Sequence, residues 1–162
     1  MLVRNLIAYL HQVVRLCPAF APSVSLRVIA WGEATEVVEV EGEILPFRCV
    51  GKASADSLVI LLTTHLANAS HPRLLFISDG QWHRDELARL VQWRRSQFNI
   101  SVRVIATGSD ANLQHLQQMA GKSAVFNPEE IVAALHSGDG TNSAMLNEES
   151  RVLSSVEMGG GS

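Results

Sequence analysis

Residues 74–82 read LLFISDGQW. Four apolar residues in succession, Leu74 to Ile77, run without a spacer into Ser78, Asp79 and Gly80. A run this short and this uniformly apolar fits a strand buried on both faces, the habit of parallel sheets covered by helices. A carboxylate is among the groups least suited to burial, so Asp79 marks the point where that strand leaves the core. In a parallel sheet the carboxyl ends of the strands share one rim with the loops and helix amino termini that follow them. The reading of this stretch therefore decides both the fold and where a site would be.

The same pattern recurs downstream. Apolar runs at Arg73 to Ile77, Ser101 to Ala106 and Ser123 to Phe126 are each followed by a loop of small or polar residues. Amphipathic stretches then follow at about 83–97, about 110–120 and 128–136. Three such units in a row predict a parallel α/β sheet. Asn127 is placed to cap the last helix, with Pro128 in its first position. Asp85 and Glu86 fall in a first helical turn, where the helix dipole accounts for them. Trp93 and Phe98 are expected to pack into the core.

Upstream of the repeat, Leu2, Val3, Leu6, Ile7, Leu10, Val13, Val14 and Cys17 recur at three- and four-residue intervals, which predicts an amphipathic helix over 2–17 ended by Pro18. His11 and Gln12 interrupt the continuous apolar stretch that a secretory leader needs. Val24 to Trp31 and Glu36 to Val40, joined by Gly32 to Thr35, read as a β-hairpin whose second strand is guarded by acids, as an edge strand is. Residues 54–69 form a helical stretch with Leu58, Leu61, Leu62 and Leu66 on one side. Beyond Leu135 the composition turns polar and glycine-rich, so residues 1–136 are expected as one α/β domain and 137–162 as a tail.

Composition narrows the function. The 162 residues are 47 % hydrophobic and 18 % charged, enough for one core. A formal charge of -3 lacks the clustered Lys and Arg excess that tracks phosphates, which argues against nucleic acid as a partner. No apolar run approaches the ~20 residues of a membrane span. Cys17 and Cys49 sit in apolar surroundings without metal-ligand spacing, as core thiols in a reducing, cytoplasmic setting would. Neither a Gly-x-Ser-x-Gly elbow nor a phosphate-binding glycine fingerprint occurs. Ser54, His65 and Asp79 make a triad only on paper, and the six histidines show no ligand spacing.

The order helix, hairpin, helix, then Leu74-Leu75-Phe76-Ile77-Ser78-Asp79-Gly80, then Val102-Arg103-Val104-Ile105-Ala106-Thr107-Gly108 and Leu113 to Ala120, resembles a von Willebrand factor type A (VWA) domain over about residues 2–136. The resemblance implies a Rossmann-like three-layer sandwich, its mostly parallel sheet carrying one antiparallel edge hairpin. It also implies a metal-ion-dependent adhesion site on the rim, where magnesium is held by an Asp-x-Ser-x-Ser loop, a Thr from a second loop and an Asp from a third. Asp79 matches the third element. Ser54 stands in for the second, and the first loop and its strand are missing, since the chain starts at the helix that should follow them. The metal site is thus expected to be degenerate.

In that family the missing strand lies between the hairpin and the Leu74 strand. Three ways of filling its place are expected: direct closure by the hairpin, a strand from another chain or an upstream segment, or the return of Arg151-Val152-Leu153-Ser154-Ser155-Val156-Glu157-Met158 from the tail. Asp79, Gly80, Trp82, His83, Ser109 and Asp110 are the expected partner-binding residues of the rim. Trp82 is either an exposed anchor for a protein partner or a ring folded over the adjacent helix. The function implied is a non-catalytic interaction module in a larger complex. The alternative is a small Rossmann-like enzyme holding a phosphorylated or anionic substrate at the same rim.

Overall fold

The computed structural model describes residues 2–16, 26–38, 52–70 and 72–136. Cys17, Pro18, Cys49 and the tail fall outside them. The elements in chain order are α1 (Leu2–Leu16), β1 (Val28–Ala30), β2 (Glu36–Val38), α2 (Ala55–Leu66), β3 (Arg73–Ser78), α3 (Arg84–Ser96), β4 (Ser101–Ala106), α4 (Leu113–Ala120), β5 (Val125–Phe126) and α5 (Ile131–His136). Among the described residues the chain is therefore mixed α/β, and no helix is long and apolar enough to cross a membrane.

The repeated units form a three-stranded parallel sheet ordered β3-β4-β5. Its middle strand explains why the apolar runs are continuous. Val102, Val104 and Ile105 in β4 are fully buried, because helices cover both faces. Leu74 and Phe76, with Val102 and Val104, meet α2, α3 and α4 through Leu58, Leu62, Leu87, Leu90, Trp93, Leu116 and Met119. On the other face Leu75, Ile77 and Ile105 meet Leu6 and Leu10 of α1 and Ile131 and Ala134 of α5. This alternation follows from the two-residue period of a strand.

The hairpin forms a separate antiparallel sheet, with Val28 opposite Val38 and Ala30 opposite Glu36. Among the described residues its backbone does not pair with β3, so within them the hairpin does not close directly against that strand. Side chains of these residues join the two sheets: Ala30 and Val38 share a cluster with Ile7 of α1, against which Ile77 packs.

Local details shift the expected boundaries. The last strand is reduced to Val125–Phe126 because Lys122–Ala124 wind into a 3-10 turn. Pro128–Glu130 form another such turn before α5, and the Glu130 carboxylate accepts the Asn127 N–H at 2.8 Å. Phe98 corrects the core expectation. It is 93 % exposed, because α3 ends at Ser96 and the following turn hands the buried position to Ile100. Trp93 is buried as expected.

These burials set an expected contrast. Leu90→Ala removes a fully buried side chain from the α3 face and should cost about 2–5 kcal/mol. Phe98→Ser should stay within about 0.5 kcal/mol. Chemical denaturation of both variants checks the pair.

Candidate functional site

The end of β3 is shaped by local hydrogen bonds. Ser78 Oγ accepts the Gly80 N–H at 3.1 Å, and Asp79 Oδ1 accepts the Gln81 N–H at 3.0 Å. An Asp side chain bonding two residues ahead is an Asx turn, which halts the strand and turns the chain outward. Gly80 then takes a φ of 72°. The Trp82 N–H returns to the Gly80 carbonyl at 2.8 Å, closing a tight turn around Gln81. Asp79 remains exposed.

This turn is braced against the loop after β4. The Asn112 N–H donates to the Asp79 carbonyl at 2.7 Å, and Gln81 Nε2 donates to the Asp110 carbonyl at 2.6 Å. His115 Nδ1 lies 3.0 Å from the Gly80 carbonyl. A carbonyl only accepts, so this nitrogen carries the proton. The capture of Asn112 also explains why α4 begins later than expected: the residues after Gly108 are held as a turn, and Asn112 Oδ1 caps the helix by accepting the His115 N–H at 3.2 Å. Ser109 and Asp110 stay exposed on this loop.

Ser54 belongs to a different local network. Its side chain caps α2 by accepting the Ser57 N–H at 3.4 Å, while its carbonyl takes the Trp31 Nε1–H at 2.8 Å. The Glu86 carboxylate from α3 accepts the buried Ala55 N–H. The positive end of α2 thus already holds an anion, supplied by the chain itself. Beside it Arg89 Nε meets Asp56 Oδ1 at 2.6 Å in an exposed pair.

The expected site residues therefore separate. Asp79, His83, Ser109 and Asp110 are exposed on the loops that follow β3 and β4. Trp82 is corrected: it is 9 % exposed and lies against Trp31, with ring centroids 5.7 Å apart. The side chain after the Gly80 turn thus faces inward, and the reading of Trp82 as an exposed anchor does not hold. Gly80 is buried as well, close under Asn112 and Leu116. No hydrogen bond joins Asp79 to Ser54 among the described residues. These residues also contain no group of three or more His, Cys, Asp or Glu placed to hold a metal ion. Magnesium demands near-octahedral oxygen coordination, and Asp79 with an already committed Ser54 does not fit it.

Gln81, Glu86, Asn112 and His115 were not expected at the site. Their partners lie about 30 residues or more away, except for the Asn112 cap bond to His115, and polar side chains one helical turn apart can signal such a cap but no more. Comparison of the chain with protein-family models, curated proteins and solved structures returned no match in any of the three.

Two outcomes follow from this geometry. Gly80→Ala places a Cβ 2.8 Å from the Asn112 carbonyl oxygen at a positive φ, and should cost about 1–3 kcal/mol in thermal or chemical unfolding. Glu86→Ala strips the anion from the α2 end and should cost about 1 kcal/mol, while Arg89→Ala should change little because its ion pair is solvated.

Proposed function

We propose that this chain is a non-catalytic protein-interaction module of the von Willebrand factor A type. In this reading it is a Rossmann-like domain with a degenerate metal site that serves as an accessory or scaffold part of a larger cytoplasmic complex. The observation that carries the proposal is the Asp79 carboxylate, exposed at the end of a parallel strand on a turn braced by Gln81, Asn112 and His115. A carboxylate held on a rigid platform loses little freedom when it meets a partner, which favours specific binding. Without a resident magnesium ion its natural complement is an Arg or Lys of the partner. Gln81, His83, Ser109 and Asp110 supply polar surroundings for that contact.

The competing reading is a small enzyme that takes a phosphorylated or anionic substrate at the same rim. It would use free helix amino termini. Glu86 closes the amino end of α2 and Asn112 caps α4, which weighs against it; the amino end of α3 after His83 has no side-chain cap but carries Asp85 and Glu86 in its first turn.

Capture of interacting proteins from a cell extract, comparing the parent chain with Asp79→Ala, tests the proposal. The expected result is a defined partner whose affinity falls about tenfold or more in the variant, the loss of one charge-assisted contact. Thermal stability is measured alongside. Saturable stabilisation by a nucleotide or sugar phosphate, with partner binding unchanged in Asp79→Ala, would overturn the module in favour of the enzyme.

A further inference from the structure

The two ends of the parallel sheet differ in charge. α2, α3 and α4 all begin at the end marked by Asp79: α3 and α4 follow β3 and β4, and Glu86 of α3 reaches the first residue of α2. Acids favour helix starts and cations favour helix ends, through the dipole of each helix. Accordingly Asp56 opens α2 and Asp85 and Glu86 open α3, whereas Arg94 and Arg95 close α3 and Lys122 follows α4. The dipole explains each charge singly. Because the helices point the same way, the charges also add up to two opposite ends.

At the rim end, Asp79 and Asp110 are exposed and meet no cation among the described residues. The bonds from Asn112 to the Asp79 carbonyl and from Gln81 to the Asp110 carbonyl gather them with Leu113, which is 49 % exposed. This patch therefore holds two carboxylates beside an apolar side chain. Lys52 and Arg84 are also exposed near this end, before α2 and at the start of α3, while the loop from Thr107 to Asn112 carries no cation.

At the other end, the chain passes from α3 into β4 through residues 97–100. Phe98, on this passage, is the most exposed large apolar side chain among the described residues. Arg95 is exposed and meets no carboxylate among them. Arg94 Nη1 reaches the Gln97 carbonyl at 3.4 Å, and its buried Nε has no acceptor. The described stretches that reach this end, 65–70, 92–101 and 117–124, contain no Asp or Glu. Two guanidinium groups thus flank a ring that the fold leaves in solvent, a pairing enriched at protein interfaces.

We infer that Arg94, Arg95 and Phe98 dock on the Asp79, Asp110 and Leu113 patch of a second copy of this chain, joining copies head to tail. This rests on the proposed binding role of Asp79 and names one partner for it. The two faces are complementary in charge: guanidinium groups meet carboxylates in charge-assisted bonds, and Phe98 meets Leu113. A lipid surface suits this end less, since a single exposed ring buries little apolar area in a bilayer. Different faces meet, so the contact is heterologous and repeats beyond a dimer.

Sedimentation of the full chain between about 1 μM and 1 mM, the range of weak contacts, tests this at roughly 0.05 and 0.5 M salt. In low salt the average mass should climb past that of a dimer as concentration rises, and high salt should return it toward the monomer. A rim variant, Asp79→Asn with Asp110→Asn, keeps the oxygen that accepts the Gln81 N–H and should stay monomeric. A base variant, Arg95→Gln with Phe98→Ser, should do the same. Mixed in equal amounts, the two should form a dimer and nothing larger, since one intact rim meets one intact base. Thermal unfolding of each variant reports that the fold is intact. Association that survives in either variant, or mixed variants that do not pair, overturns the inference. A monomeric parent whose extract partner depends on Asp79 overturns it alone and leaves the proposed binding role standing.

Discussion

The parallel ladder between β3 and β4 is the constraint on which the other features depend. Residue pairs from Arg73–Ser101 to Ser78–Ala106 hold the two strands in register, so both end at the same level. That common ending brings the turn after Ser78 beside the turn after Ala106. A slip of one residue would exchange the faces of the sheet and send Phe76 and Val104 toward α1 and α5. The burial of Val102, Val104 and Ile105 makes such a slip expensive. The rim is thus fixed by the core beneath it.

On this base the rim is braced by bonds of modest individual strength. Asn112, Gln81 and His115 each reach a backbone carbonyl of the neighbouring loop, and each bond contributes about 1 kcal/mol. Their joint effect is geometric, because they hold the Asp79 turn against α4. The amino end of α2 is treated differently, closed by Ser54 from within and by Glu86 from α3. The positive end of that helix is thus met from within the chain.

The expected strands and helices were recovered closely where periodicity was strong. Ser101 to Ala106 was read with both boundaries in place, and α3 to within about one residue at each end. Readings failed where competition between local and distant partners decided the outcome. Asp110 looked like a helix start, yet the Asp79 carbonyl held Asn112 and moved the start of α4. Phe98 had the composition of a core residue, but the end of α3 left it in solvent while Ile100 was buried. Trp82 had two readings in sequence, and the left-handed turn at Gly80 chose the inward one.

The sequence by itself determined the α/β class of the chain, the strand–loop–helix repeat from residue 73 and the exposure of Asp79, because two-residue and 3.6-residue periodicities and the cost of burying a carboxylate are written in local order. Only the tertiary structure decided that the described residues of the hairpin form a sheet of their own, that Glu86 caps α2 and that Gln81 ties the two rim loops together. These depend on which distant backbone groups come within hydrogen-bonding reach. No residue announces that in its own neighbourhood, since the partners meet only after the parallel ladder has formed.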